Sequence, residues 1–151
     1  MAVTAQPSVV DPQPRHRARE VGLVGTFALA PDGSGVLRGR AGLSARVPAD
    51  LVRRFQLVDG ARLHARLRCA EPPGAGGSEL VRILAWHDLT ARVLLVTPSY
   101  ALLRAEDGPP LYLPSGQGAA LGLREGGTVH VVAAPTFGLV PRWRVESFVV
   151  G

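Results

Sequence analysis

The sequence predicts an all-β protein made of two small five-stranded Greek-key barrels in tandem. Residues 25–38, GTFALAPDGSGVLR, read as two short strands around a Pro31-Asp32-Gly33 turn, and a weaker copy starts at Ala91. Sliding 25–69 onto 91–135 at a constant offset of 66 superposes Leu29 on Leu95, Leu37 on Leu103, Arg38 on Arg104, Gly42 on Gly108, Pro48 on Pro114, Leu57 on Leu123, Gly60 on Gly126 and His64 on His130. These identities fall where turns and core strands are expected, the pattern left by a repeated supersecondary unit. The length of 151 residues allows one ordinary domain or two miniature ones. Units of about 60 to 65 residues each can just support their own cores.

Each element has a local reason. Residues 1–20 hold three prolines and the run Arg15-His16-Arg17-Ala18-Arg19 without periodicity, which reads as a flexible basic arm. The first unit, 21–89, then reads as a strand over 22–30, the Pro-Asp-Gly turn, a strand over 34–39 and a short strand over 44–47. Leu51, Val52 and Phe55 lie at i, i+1 and i+4 with Asp50 in the first turn, so 48–57 should form one or two helical turns. Asp59-Gly60 punctuates, and 61–68 alternates apolar with polar as a half-buried strand does. A Pro/Gly-rich loop over 71–77 leads to a closing strand over 79–86.

The second unit, 90–151, repeats the order with strands expected over 91–97, 100–105, 111–113, 127–133 and 142–150. Gly116 and Gly118 disfavour the helix at the equivalent place. Five short strands with one small helical insert after the third suggest a barrel of the OB or cold-shock type. The two units should meet across Leu89–Ala91 with almost no linker.

Composition bounds the partners. There is no Lys and no Asn, and all 17 basic side chains are Arg, a bias that resembles GC-rich coding and so says nothing about arginine being selected for phosphate. The net charge of +5 is compatible with a polyanionic partner and equally with a solvated basic surface. It is spread as +1, +3 and +1 over 1–21, 22–89 and 90–151. The single cysteine, Cys69, cannot make an internal disulfide or a multi-thiolate metal site; it reads as a strand residue in a chain suited to a reducing cytoplasm. No signal-peptide core and no apolar run of membrane-spanning length occur.

The first unit resembles a known family. Pro31-Asp-Gly-Ser-Gly-Val-Leu-Arg38, Val47, Val52-Arg-Arg-Phe-Gln-Leu57, Asp59-Gly60 and Glu79 resemble the primary RNA-binding, cold-shock-like domain of the bacterial transcription termination factor Rho, over about 65 residues. In that family bases stack on aromatics, at slots that the resemblance places on Ser34, Val36, Arg46 and Val81. The first unit has therefore lost its stacking side chains and kept Arg38 and Glu79. Through the offset of 66 the slots map to Tyr100, Leu102 and Tyr112, and after a four-residue loop shortening to Trp143, so the second unit refills three of four. Arg104 takes the place of Arg38.

The resemblance thus implies a single-strand platform of Tyr100, Tyr112 and Trp143, with Arg104 at its margin and Arg38 and Arg46 adding charge. Arg142 and Arg144 flank Trp143 and face opposite to it, suiting general phosphate attraction. Phe137, in the preceding loop, is a second stacking surface or a loop plug. Against this, a single strand Tyr or Trp is commonly a packing residue with its polar tip at water, and Arg53 and Arg54 suit a solvated helix face.

Enzyme signatures are missing. No phosphate-loop lysine, nucleophile elbow or metal-ligand spacing occurs, and His16, His64, His87 and His130 stand far apart in sequence. The expectation is a non-enzymatic protein that binds single-stranded nucleic acid, RNA by resemblance, without metal or cofactor. The alternative is an interaction module that docks on protein, such as transcription machinery. Nothing in the sequence assigns an oligomeric state.

Overall fold

Among the described residues nine strands form, most of them alternating buried with open positions. The computed structural model describes residues 18–70, 78–136 and 142–149. In order these are β1 (Ala18–Leu29), β2 (Gly35–Arg38), β3 (Ser44–Val47), α1 (Ala49–Phe55), β4 (Arg62–Ala70), β5 (Ser78–Val96), β6 (Ala101–Ala105), β7 (Pro110–Leu113), α2 (Gln117–Ala120), β8 (Thr128–Pro135) and β9 (Trp143–Phe148). The sheet order is β3-β2-β1-β4-β5-β6-β7-β9-β8, and β8 also pairs with β5. The C-terminal half of β5 therefore closes a five-stranded barrel with β6, β7, β9 and β8, which removes free edges. The fold is mostly β and contains an OB-like closed barrel.

Strands β1, β2, β3 and β4 with the N-terminal half of β5 pair in the same sequence of neighbours, but β3 packs against β5 without a hydrogen-bonded ladder. Strand β5 runs without interruption through the expected junction near residue 89. Instead of two strands joined by a short link, one 19-residue strand serves both halves. Near the middle of the strand, at His87 and Asp88, Asp88 has φ 53° and the pairing with β8 slips between Trp86 and Leu89. One continuous core spans both halves, from Phe27, Leu37 and Leu63 to Trp86, Leu103, Leu111 and Trp143.

The offset of 66 reappears in the backbone. Thr26 pairs with Arg38 and Arg62, while Arg92 pairs with Arg104 and Thr128. Val36 pairs with Arg46 as Leu102 does with Tyr112. The Phe27 N–H donates to the Ala61 carbonyl as Val93 does to Gly127, and Leu57 to Val52 as Leu123 does to Gly118. Register departs at a bulge between Val93 and Leu95 that adds Leu94, with the following turn one residue shorter, and again in the β5–β8 pairing between Trp86 and Leu89, where β1–β4 has no slip.

The expected helix of the first unit forms where its apolar spacing placed it. Helix α1 spans seven residues, buries Val52 and ends at Gln56 in the left-handed region, φ 52°. The two glycines do not abolish its counterpart: α2 is a four-residue turn that buries Gly118. Cys69 is a buried strand residue whose thiol lies 3.3 Å from the Ser78 hydroxyl. Residues 1–17 of the expected arm and the 71–77 loop lie outside the described residues, while Ala18–Glu20 already belong to β1.

The Pro-Asp-Gly turn is held by its aspartate. Asp32 Oδ1 accepts from the Ser34 hydroxyl at 2.6 Å and the Ser34 N–H at 3.0 Å. The hydroxyl bond first, then the backbone bond, hold the Asp32 pKa below its ordinary 3.8, with the Arg46 charge adding. A folded pKa below the unfolded one contributes stability that is complete above the unfolded value and lost as pH falls through the folded one. Ser34→Ala should therefore move the Asp32 titration, followed by its carboxyl carbon shift, upward toward 3.8. No movement would assign the shift to another cause.

Candidate nucleic-acid interface

The outer wall of the closed barrel collects the tyrosines and several arginines. On β6, Ala101, Leu103 and Ala105 point inward and Leu102 and Arg104 outward; on β7, Leu111 and Leu113 are buried and Tyr112 is outward and half-buried. Register sets Leu102 against Tyr112 on one side, and the parallel β7–β9 pair sets exposed Arg144 beside Tyr112 on the other. Arg92 on β5 lies opposite Arg104. The bulge residue Leu94 is 46% exposed.

Tyr100 enters from the β5–β6 turn and is half-buried. The Thr97 hydroxyl accepts from the Ser99 and Tyr100 N–H groups at 3.2 and 3.0 Å and donates to the Tyr100 carbonyl at 3.0 Å. Gly116, at φ 67°, packs against that turn; a Cβ there would stand 2.3 Å from the Pro98 carbonyl oxygen. The turn is thereby fixed, and the Tyr100 and Tyr112 rings come to 6.2 Å between centroids with 31° between planes. Two adjacent, partly exposed aromatic faces, with Arg144 beside Tyr112 and Arg104 further along the same wall, can stack planar rings and attract phosphate.

Trp143 corrects the expected platform. It is fully buried, parallel-paired with inward Leu111. Its ring packs edge-on against Phe55 and Trp86, each at 5.4 Å, and Nε1 donates to the Phe55 carbonyl at 2.8 Å. That bond satisfies a carbonyl left open by the end of α1. Trp143 thus joins the two halves and cannot stack a base. Its neighbour Arg144 is the exposed residue at this end of β9.

The other expected residues distribute as follows. Arg104 is exposed, with Nη1 donating to the Gly108 carbonyl at 3.4 Å. Arg142 is half-buried, next to Trp143, and its carbonyl accepts from Thr136. Arg38 and Arg46 are exposed on the β2–β3 wall of the other half, flanking Val36. Ser34 is buried in its turn, so the position equivalent to Tyr100 is no surface slot. Arg53 and Arg54 are exposed on α1. Phe137 lies outside the described residues.

Sequence reasoning passed over Arg92 and Leu94. The alternation Ala91-Arg92-Val93 was the signal for the first; the bulge that turns out Leu94 leaves none. The histidines also come closer than their spacing implied, since β4–β5 pairing brings His64 and His87 to 6.0 Å. Even so, among the described residues no group of three His, Cys, Asp or Glu could hold a metal ion, and no helix is long and apolar enough to cross a membrane. No family model matches the chain, and no curated protein matches it.

Proposed function

We propose that the protein binds single-stranded nucleic acid, RNA in preference, through the outer β6–β7 wall, and that it is not an enzyme. The observation that carries this is the Tyr100–Tyr112 pair, partly exposed side by side and bordered by Arg92, Arg104 and Arg144. In OB barrels the second and third strands and the adjoining loops form the usual oligonucleotide face. β6 and β7 are the second and third strands of this barrel, counting β5 as the first. Bases stack on the rings and the arginines draw in the phosphates.

On this reading the chain is a tandem of two OB-like units, the first resembling the RNA-binding domain of Rho. The 66-residue offset shared by sequence identities, strand register and turn hydrogen bonds supports it. The first unit contributes charge through Arg38 and Arg46 in place of aromatics. The proposed setting is the cytoplasm, in transcription or RNA regulation.

Exposed Leu94 beside half-buried Leu102 also suits a protein ligand, the second reading. Titration against a single-stranded oligonucleotide at several salt concentrations separates them, because phosphate contacts release counterions. Affinity should fall as salt rises, and Arg38→Ala should lower the slope of log K against log salt by about 1. A chain that binds no single strand at low salt, or binds without salt dependence, supports the protein ligand instead.

A further inference from the structure

We propose that the outer face of β1, β4 and β5 holds a second site, for a phosphate-class oxyanion, at the rung formed by Gly22, Arg66 and Arg82. Register places these three across neighbouring strands, with Gly22 opposite Arg66 and Arg66 opposite Arg82. The rung lies between two irregularities in the β4–β5 pairing, which skip Leu84 on one side and Val81 on the other. Bulges of this kind re-aim side chains and gather at binding sites.

The arginines are set against each other with too little acid between them. Like charges directly opposite in a sheet repel. On this face Arg62 pairs with Asp88 at 3.6 Å, and Arg68 pairs with Glu79 at 3.9 Å and Glu20 at 3.5 Å. Arg66 reaches the same Glu20 at 3.8 Å. Arg82 has no ion pair among the described residues. Four arginines thus face three carboxylates, and the excess positive charge sits at the Arg66–Arg82 rung.

An orphaned atom marks the same place. Arg66 Nε is buried and has no hydrogen-bond partner among the described residues, a donor that burial leaves costly unless a ligand accepts from it. Gly22 leaves a notch on the third strand of the rung; a Cβ there would stand 3.3 Å from His64 Nε2, so the imidazole borders it. Two guanidinium groups beside Gly22 and the His64 imidazole match the several oxygens of a phosphoryl group, which accept charge-assisted hydrogen bonds. The 66-residue offset puts Asp88 and Val132 at the positions of Gly22 and Arg66, and Val132 faces Ser147, so the second half has no such rung. The oxyanion is the phosphodiester of a bound strand or free phosphate.

Thermal unfolding of the full chain in inorganic phosphate, against chloride at matched ionic strength, tests the site. Part of any rise in Tm is general to phosphate as a co-solvent, so the site-specific part is the excess of wild type over Arg82→Gln. That excess should also vanish in Gly22→Val, which keeps both arginines, and persist in Arg53→Gln, which removes one charge elsewhere. No excess, or an equal loss in Arg53→Gln, overturns the proposal. Titration with a single-stranded oligonucleotide then assigns the source: Arg82→Gln weakens it about tenfold, the loss of one charged hydrogen bond, if the strand's phosphodiester occupies the site, and leaves it unchanged if free phosphate does. The phosphate response does not involve the tyrosines, so its failure and that of the β6–β7 reading are separately visible.

Discussion

Trp143→Ala is expected to lower the stability of the whole chain by about 3–5 kcal/mol, the cost of emptying a large aromatic site in a packed core. The total margin of a protein this size is about 5–15 kcal/mol, so the variant should unfold at much lower denaturant. Two contacts make the loss large. The indole packs edge-on against Phe55 and Trp86, and its Nε1 is the partner of the Phe55 carbonyl. Trp143→Phe should keep part of the packing and lose the hydrogen bond, costing about 1–3 kcal/mol through the carbonyl left unpaired. Because the indole joins α1 to β9, urea melts of both variants should remain single transitions at shifted midpoints. A melt of Trp143→Ala unchanged from wild type would contradict the buried placement.

Tyr100→Ala and Tyr112→Ala should each weaken single-strand binding by about 1 to 3 kcal/mol, the range for a base stacked on an aromatic side chain. Their rings neighbour each other at 6.2 Å, so the double variant should depart from additivity. Stability should change far less than in Trp143→Ala, because both side chains face outward from the core. The measurement is a titration of each variant with the same oligonucleotide at one salt concentration, beside a urea melt. Unchanged affinity in all three variants removes the tyrosines from the interface.

Most of the fold was legible because its determinants are local. Alternation placed β4, the 66-residue repeat placed β6, the Pro-Asp-Gly and Asp-Gly turns placed the bends, and the i, i+1, i+4 spacing of Leu51, Val52 and Phe55 placed α1. The continuity of β5 was not legible: the sequence reads as two strands over 79–86 and 91–97, yet one strand passes through Asp88, at φ 53°, because β4 and β8 pair on either side. That support comes from residues distant in sequence.

The candidate site was legible in part for a related reason. Tyr112 and Leu102 follow from the offset because register is conserved between β2–β3 and β6–β7. Trp143 was misassigned through a loop of altered length, although the pattern Trp143-Arg144-Val145-Glu146 in β9 already put the indole and Val145 on the inner face. Where a one-residue slip exchanges inside for outside, alternation within the strand is the stronger guide. The bulge at Leu94 and the Gly22–Arg66–Arg82 rung depend on pairing between strands and have no local signature.

Amide chemical-shift mapping of the full chain with a short single-stranded RNA addresses the central claim most directly. Binding at the outer β6–β7 wall predicts that the largest shifts fall on Tyr100, Leu102, Arg104, Tyr112 and Arg144, and shrink as salt is added. Saturable binding that leaves those five amides unmoved would contradict it.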